Sequence, residues 1–306
     1  MADVDQISPV STQQELTNPP PSLQNFYDTD LLEVPPEAQK LLESYSHIPS
    51  DEVMPHILNI RDEALKSCPS HSIATYRFLD LALARSANYP DILSRLQHGH
   101  AQFLDLGCGL GSSLRQLVQD GVSSEHLYGA DINPSYFPIG YDLYRDAFKF
   151  NALFLGADLF DHSPGSVLKQ LEHKVDIIWT SNVLDLFGRR QQVAAIVSML
   201  KLLKPAPDTM LAGHLIGHEK AGEYPGPEGG KELAVYRHDK HSFKKMFHEA
   251  CDIVGEKWET EVTVVPWKET VKTNRKSEGM EGLKEVWFFA RKLSRVDGAT
   301  SHKFVF

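Results

Sequence analysis

The sequence predicts an α/β protein in which a seven-stranded, doubly wound sheet follows an N-terminal helical cap. Three observations lead to this fold class. From residue 100 onward, short apolar runs alternate with amphipathic segments, the pattern of parallel strands with helices on both faces. A glycine-rich turn, FLDLGCGLG, closes the first of these runs at Phe103–Gly111. Residues 36–99 show apolar positions at helical spacing.

Composition limits the partners that the chain is expected to have. The 306 residues carry a formal net charge of −10, which disfavours binding to nucleic acid or to an anionic membrane. The three cysteines are far apart and lack metal-ligand spacing, so we expect a reduced, cytoplasmic protein without a metal. The sequence has no apolar run of the roughly 20 residues that a membrane helix needs, and its start lacks the features of a secretory signal.

The chain divides into four segments. Residues 1–24 are rich in Pro, Ser and Gln and are predicted to be a disordered arm. Residues 25–99 form the cap, with PEAQKLLESY opening on a proline, SDEVMPHILNIRDEALKSC on a Ser-Asp cap, SIATYRFLDLALARS at helical spacing and YPDILSRLQHG ending on a glycine. The core covers residues 100–293, and residues 294–306 are predicted to be a frayed tail.

Within the core, strands and helices alternate in chain order. The strands are predicted at 101–107, 127–132, 151–158, 175–183, 209–217, 258–267 and 283–292, and the helices at 111–121, 135–148, 164–174, 189–205 and 241–254. A polar loop without a crossover helix joins the last two strands, so we expect them to be antiparallel. The polar, Gly- and Pro-rich stretch at about 217–241 is too long for a routine connection and is predicted to be a lid over the active-site edge.

The spacing of the glycine turn distinguishes between two ligands. A dinucleotide fingerprint places its third glycine three residues after the second, a position that Ser112 occupies here. The glycines instead alternate as Gly107, Gly109 and Gly111, and Asp105 precedes them by two residues. This turn resembles that of S-adenosylmethionine (SAM) sites, where glycines let the backbone approach the ligand and a carboxylate lies near its cationic end. A plain strand–helix turn is the alternative.

Carboxylates at the next two strand ends support a SAM site. Asp131 ends the second strand, where it would accept the ribose hydroxyl hydrogens or cap the next helix, and Ile132 follows as a further cofactor contact. Asp158 ends the third strand, where it would accept from the adenine amino group while Leu159 packs on the ring. Because these acids fall in register with Asp105, the sequence predicts SAM as the cofactor and S-adenosylhomocysteine as its product.

The end of the fourth strand opens on the crevice where ligands bind in such sheets. Ser181 and Asn182 are expected to hydrogen-bond the methionine portion of SAM, and Val183 to wall the adenosine. Asp185 has three open interpretations: it pairs with the ammonium of SAM, orients or deprotonates a substrate, or caps the following helix. Phe187 is a candidate for the wall of the acceptor site.

Further candidates come from the lid and the cap. His214 is the best histidine for catalysis because it lies near the end of a strand, and His218, Tyr236 and Arg237 are candidates for substrate binding. For each of these, a surface or capping role is the alternative. In the cap, Tyr76-Arg77 would contact the carboxylate of SAM, or else Tyr76 is a core residue and Arg77 is solvated. Phe26 and Tyr27 are weaker candidates to close the entrance.

These motifs resemble a known family. Phe103–Gly111, followed by GADI, LGADLFD and DIIWTSNVLDLF, resembles the class I SAM-dependent methyltransferases, whose Rossmann-like fold has seven strands with the last inserted antiparallel. NFYDTDLLEVPPEAQKLLESYS, SHSIATYRFLDL and VYRHDKHSFKKMF are similar to a fungal subfamily of meroterpenoid pathways of the austinol, andrastin and terretonin type. The resemblance implies methyl ester formation on a polyketide-derived or meroterpenoid acid in secondary metabolism. It also makes a homodimer plausible.

The acceptor stays open on sequence grounds. A carboxylate with a pKa of roughly 4 is ionised at neutral pH and needs no base, whereas a phenol with a pKa of about 10 would need one such as His214 or Asp185. The lack of a clear base motif favours a carboxylic acid. The alternatives are an O- or N-methyltransferase for a phenol or amine, and a catalytically silent SAM-binding regulatory subunit.

Overall fold

The structure, a computed structural model, describes residues 29–67, 69–226, 234–274 and 281–293. The predicted arm, the predicted tail and the aromatic pair Phe26-Tyr27 lie outside these ranges. The helices are α1 (Pro36–Ser44), α2 (Ser50–Ser67), α3 (His71–Ala74), α4 (Ala82–Arg85), α5 (Tyr89–His98), α6 (Ser112–Gln119), α7 (Tyr136–Tyr144), α8 (Arg189–Leu202) and α9 (Lys240–Val254). The strands are β1 (Phe103–Leu106), β2 (Leu127–Asp131), β3 (Leu153–Gly156), β4 (Ile177–Ser181), β5 (Met210–His218), β6 (Gly222–Pro225), β7 (Ala234–Arg237), β8 (Trp258–Pro266) and β9 (Leu283–Lys292).

Seven of these strands form one sheet in the order β3-β2-β1-β4-β5-β9-β8. Strands β1 to β5 are parallel, and β9 runs antiparallel between β5 and β8, so the predicted fold class is confirmed. The chain winds outward in both directions from β1 and β4. Leu106 at the end of β1 pairs with Ala130 on one side and Thr180 on the other, which aligns the three strand ends at one edge. A ligand crevice is expected at this edge of an open α/β sheet.

Burial explains why the apolar runs form strands. All four residues of β1 are buried, and in β4 only the last residue is partly exposed. One apolar cluster covers one face of the sheet with α8 and α9, and a second covers the other face with α5 and α6. Because both faces are covered, these central strands have continuous apolar runs instead of alternating ones.

The cap packs on the core through a third apolar cluster that joins α1 and α2 to α7. A buried ion pair lies beneath this contact: Arg115 Nε is 2.9 Å from Asp146 Oδ2, and neither side chain is exposed. The Tyr45 hydroxyl of the cap donates to the same carboxylate at 2.8 Å, and Arg115 Nη1 donates to the carbonyl oxygen of Leu110 in the glycine turn. The cap, the core and the glycine turn are therefore connected through one arginine.

The segment SIATYRFLDLALARS, predicted to be helical, forms three short helical pieces in place of one continuous helix. The segment forms α3, a 3₁₀ turn at Arg77–Leu79 and then α4. Tyr76 breaks the helix with a φ of +57°, and its side chain is only 2% exposed within the cap cluster. Burial of this ring is the tertiary contribution that outweighs the local helical periodicity.

One connection differs from its prediction, and the stretch predicted to be a lid is described in part. The helix expected at 164–174 is only a 3₁₀ turn at Leu168–Leu171. The segment begins with Pro164-Gly165, and a 3₁₀ turn of this length satisfies few backbone groups. Part of the stretch predicted to be a lid forms an antiparallel hairpin, β6 with β7. Residues 227–233 of that stretch lie outside the described part of the chain.

Two features are absent from the described residues. None of the helices there has the length and apolarity required to span a bilayer. The same ranges contain no group of three or more His, Cys, Asp or Glu side chains placed to hold a metal ion.

Candidate active site

The glycine turn after β1 is held against the end of β2. The amides of Gly107 and Cys108 both donate to the carbonyl oxygen of Ala130, at 2.8 and 3.1 Å. The amide of Gly109 donates to Asp131 Oδ2 at 2.9 Å. The turn and the second acidic strand end, predicted separately from sequence, therefore form one structure.

All three glycines of the turn have positive φ, but only one faces open space. A Cβ on Gly107 would lie 2.2 Å from Val183 Cγ2, and one on Gly111 would lie 2.3 Å from Arg115 Nη1. A Cβ on Gly109 would meet no atom within 4 Å. Gly109 therefore marks the place where a ligand can approach the backbone closely.

The ends of β2 and β3 offer what a nucleoside needs. Asp131 accepts one backbone hydrogen bond on each oxygen, from Gly109 and Asn133, and this fixes its carboxylate with lone pairs left for ribose hydroxyls. Ile132 beside it is 73% exposed, which leaves an apolar surface for an adenine ring. The Asp131 carbonyl accepts from Ala157 at 2.9 Å, so Asp158 and Leu159 follow directly beside this site. The residues at these two strand ends fit SAM.

Asp105 lies beneath the turn and is 3% exposed. Burial raises its pKa to about 7, the nearby Asp131 raises it further in the same direction, and a hydrogen bond from Ser113 opposes the shift. A carboxyl group buried in this way favours a cationic neighbour, because an adjacent positive charge stabilises its ionised form. The ammonium and sulfonium groups of SAM would provide such charges.

A second depression, which we call the acceptor cleft, lies between the cap and the ends of β4 and β5. Its lining comes from the cap, the two strands and the segment between β8 and β9: His71, Thr75, Arg77, Asp80, Asn182, His214, Ile216, Trp267, Lys268, Glu269, Thr270, Val271, Thr273 and Glu285. The segment after β8 is tied to the start of the described chain. Leu32 donates to the carbonyl oxygen of Lys272, and Asp30 and Asn274 exchange backbone and side-chain hydrogen bonds.

His214 lies in this cleft, in the middle of β5 and opposite Ser181 at the end of β4, and not near the end of its own strand as the sequence predicts. It is 5% exposed, and its ring lies 4.4 Å from that of Trp287. Burial lowers its pKa to about 3, and the positive charges of Arg85 and Arg77 lower it in the same direction. The imidazole is therefore neutral at physiological pH. Nδ1 lies 3.3 Å from Ser181 Oγ, and Nε2 has no hydrogen-bond partner among the described residues.

Asn182 joins the two predicted ligand regions. It has a φ of +53°, in the left-handed region that asparagine tolerates better than most residues. Its backbone amide donates to the backbone carbonyl of His214 at 2.9 Å, and its side-chain Nδ2 donates to Ser181 Oγ at 3.3 Å. This backbone turn directs the chain out of β4 and places the Asn182 side chain at the cleft.

Asp185 is buried beside the cleft and is 8% exposed. Burial raises its pKa to about 6, while Arg77, the backbone amides of Asp185 and Ile216, and Arg237 lower it. The charge of Arg77 acts on this carboxyl group, as does that of Arg237, which lies over the Tyr224 ring at 5.1 Å. Two guanidinium groups thus flank one carboxyl group.

The four predicted substrate residues lie in or beside the β6–β7 hairpin: Tyr236 and Arg237 in β7, Phe187 before α8 and His218 at the end of β5. Phe187 accepts from the Tyr236 amide at 3.0 Å, and its ring packs edge-on against Phe160. Both ring nitrogens of His218 are engaged, by Glu281 and Tyr224 among others, so its side chain is fixed within the loop. These placements leave the predicted substrate contacts of Phe187, His218, Tyr236 and Arg237 as predictions.

Sequence reasoning missed two groups around the site. Gln192 of α8 donates through Nε2 to the carbonyl oxygens of Phe187 and Tyr236, and its Oε1 accepts from His238 Nε2, so it anchors the hairpin. Arg85 is held by Asp80 at 2.8 Å and stacks on the Trp287 ring. A glutamine inside an apolar helix pattern, and partners two hundred residues apart, give no local signal.

Tyr76 is a correction to the predicted set. Its ring is buried in the cap with the Arg61 guanidinium 5.3 Å from the ring centre, and its hydroxyl bonds to the backbone of Leu31. The structure therefore supports the core alternative for this residue instead of a contact with SAM. Arg77, the other half of the pair, does reach the acceptor cleft.

Comparison with known proteins identifies relatives for both parts of the chain. Residues 26–79 match a family described as the meroterpenoid methyltransferase N-terminal domain, and residues 103–206 match one described as a methyltransferase domain. O-methyltransferase phiE of a fungal species is 38% identical over 229 residues, 75% of each chain. The asnovolin E/chermesin D methyltransferase nvfJ of Aspergillus novofumigatus is 38% identical over 181 residues, which cover 59% of this chain and 64% of the relative.

A solved structure shares the fold. It is phosphoethanolamine N-methyltransferase 2 of Haemonchus contortus in complex with SAM, with a TM-score of 0.50 and 12% identity over 76% of this chain and 59% of that chain.

Proposed function

The chain belongs to the SAM-dependent methyltransferases, in the family with the meroterpenoid methyltransferase N-terminal domain, and on this premise we propose that it forms a methyl ester on a carboxylic acid. The acceptor would be a polyketide-derived or meroterpenoid intermediate of secondary metabolism. The family resemblance seen in the sequence motifs is confirmed by the matches, and so is enzymatic activity as a methyltransferase. The acceptor class is the proposal.

One observation carries this proposal: the imidazole in the acceptor cleft is a very weak base. With a pKa of about 3, His214 lies roughly seven units below a phenol of pKa about 10. A proton transfer over that gap is uphill by about 9 to 10 kcal/mol. A carboxylic acid avoids this cost because it is already ionised at neutral pH.

The guanidinium groups near His214 support an anionic acceptor in a second way. The charge of Arg77 acts on the buried Asp185, and Arg85 is paired with Asp80 and lies 3.9 Å from Glu285. Both guanidinium groups act on His214 strongly enough to lower its pKa. A carboxylate placed beside His214 would be attracted by these two guanidinium groups.

The chemistry then needs alignment more than proton transfer. SAM, when bound, supplies a methyl group whose carbon–sulfur electron pair leaves with the sulfur. An ionised carboxylate oxygen forms the new bond to that carbon, and no proton moves. The residues of the cleft would hold the carboxylate in line and exclude water, which strips its solvation and strengthens every contact it makes.

A test uses one acceptor molecule that carries both a carboxyl group and phenolic hydroxyl groups. The purified protein is incubated with SAM and a dihydroxybenzoic acid bearing an alkyl or prenyl chain, and the product is analysed by mass spectrometry before and after mild alkaline hydrolysis. Esters are cleaved by this treatment and aryl methyl ethers are not. We expect a product that alkali returns to the starting acid.

The pH dependence gives a second arm. With a carboxylic acid and saturating SAM the rate should stay flat between about pH 6 and 9, since the acceptor is ionised throughout. A phenol acceptor using Asp185 as base would show a rate that rises through its pKa of about 6. An alkali-stable product, or methylation of the matched phenol that lacks a carboxyl group, would overturn the proposal.

A further inference from the structure

Two polar atoms at the acceptor cleft are buried without a partner. His214 Nε2 and Asn182 Oδ1 have no hydrogen-bond partner among the described residues, although both side chains line the cleft. His214 is 5% exposed, so water does not readily satisfy this nitrogen. Unpaired buried polar atoms are rare, and at a site they point to a ligand that completes them.

The hydrogen bonds around Ser181 decide what the histidine presents. Asn182 Nδ2 carries only donors, so Ser181 Oγ is the acceptor of that bond at 3.3 Å. The Ser181 hydroxyl hydrogen is then free to donate to His214 Nδ1, also at 3.3 Å. This direction uses the hydroxyl both as acceptor and as donor. It leaves Nδ1 without a hydrogen and puts the hydrogen of the neutral ring on Nε2.

We infer that His214 acts as a hydrogen-bond donor through Nε2–H to the acceptor carboxylate, oriented by the Asn182–Ser181 relay, and that it is not a general base. This inference rests on the proposed carboxylate acceptor. The relay also leaves Asn182 Oδ1 as an acceptor atom. The two orphan atoms then match the two reactants, since a carboxylate can only accept and the SAM ammonium can only donate.

The reverse arrangement does not match the reactants. If Asn182 were turned to place its oxygen on Ser181, the ring hydrogen would move to Nδ1 and the cleft would face the carboxylate with a lone pair. A neutral donor also suits the reaction better than a full cation would. It holds one oxygen of the carboxylate without cancelling the negative charge that the attacking oxygen needs.

The tautomer can be measured without any substrate. Nitrogen-15 spectra of the full chain labelled at histidine, compared with those of His214→Gln to assign the signal, should show a neutral ring with the hydrogen on Nε2 at pH 7. Ser181→Ala removes the relay and should give a mixture of the two tautomers. A ring hydrogen fixed on Nδ1 would overturn the inference, whatever the acceptor turns out to be.

Matched substitutions separate the donor from a base. Glutamine can place an amide hydrogen near the position of Nε2, whereas methionine has similar length and no donor. We expect His214→Gln to retain kcat/KM for the acid within about tenfold, and His214→Met to lose about 10- to 150-fold, the range for one hydrogen bond to a charged group. The control is His98→Gln, which replaces an exposed histidine at the end of α5 and should leave kcat/KM for the acid unchanged.

The results also distinguish failure of the two ideas. If the wild type methylates no carboxylic acid, the proposed function fails while the measured tautomer still stands. The donor role fails, and the proposed function remains, if the acid is methylated but the His214→Gln and His214→Met variants lose activity equally. The same holds if the pH–rate profile of the wild type has an inflection that is absent from these variants. SAM affinity by calorimetry should stay close to wild type in both His214 variants.

Discussion

Substitution of Gly109 by alanine separates ligand binding from folding. Its φ of +51° places it in the left-handed region, where a Cβ costs about 1 to 2 kcal/mol. Part of this cost is offset because alanine restricts the unfolded chain by about 0.4 to 1 kcal/mol. Since no atom lies within 4 Å of the new methyl group, we expect a net loss of stability of about 1 kcal/mol. The fold should survive.

Binding should suffer more than folding in this variant. The methyl group would stand in the space through which the cofactor reaches the backbone. An intruding methyl in a tightly packed contact costs about 1 to 3 kcal/mol, or roughly 5- to 150-fold in Kd. Calorimetric titration with S-adenosylhomocysteine measures this loss, and a thermal melt measures stability, at about 2 to 4 °C per kcal/mol.

Two further glycines provide the comparison. Gly107→Ala has the same backbone strain, but its Cβ meets Val183 Cγ2 at 2.2 Å, so it should lose about 2 to 5 kcal/mol of stability. Gly165→Ala also meets nothing within 4 Å, lacks a positive φ and should be nearly neutral in both assays. The reasoning is refuted if Gly109→Ala binds S-adenosylhomocysteine as tightly as wild type, or if it melts as early as Gly107→Ala.

Two predictions concern stability. Arg115→Met leaves Asp146 buried without its cation and should lower the free energy of unfolding by about 3 to 5 kcal/mol. The double variant Arg115→Met with Asp146→Leu should recover much of that loss in urea denaturation. An unchanged urea midpoint in the single variant would contradict this. Asp105→Asn should stabilise the ligand-free protein at pH 8, by no more than about 4 kcal/mol. Its folded pKa of about 7 lies above the unfolded value, so its contribution is present at low pH and is lost as the pH rises through about 7. Melting temperatures from pH 5 to 9 measure this, and the slope near pH 7 should flatten in the variant.

The sequence predicts the fold around the glycine turn well because its signals are local. Each apolar run ends in a turn residue or an acid, and parallel strands bring those ends to one edge. Gly109 and Asp131 are 22 residues apart in the chain, yet the strand–helix–strand pattern is enough to place them together. Strand order and the antiparallel β9 follow from the same regularity.

The acceptor half depends on contacts that no local pattern encodes. Trp287 and Arg85 lie on opposite sides of the core sequence, and they meet only because β9 inserts next to β5. Tyr76 follows a helical period until burial of its ring forces a left-handed turn. Gln192 occupies a position in α8 that is fully buried, and its role appears only once the hairpin supplies the carbonyl groups it binds.

The buried carboxylates connect stability with ligand binding at this site. In the ligand-free protein, burial raises the pKa of both Asp105 and Asp131, and the nearby Asp131 charge raises that of Asp105 further. A cation bound between the strand ends removes that penalty, so part of the free energy of binding comes from relief of a strained charge arrangement. A substitution that stabilises the empty site, such as Asp105→Asn, should therefore weaken SAM binding by a similar amount. In Asp105→Asn the melting temperature of the ligand-free protein should therefore rise while the affinity for SAM falls. A purely structural role for Asp105 would not produce this combination.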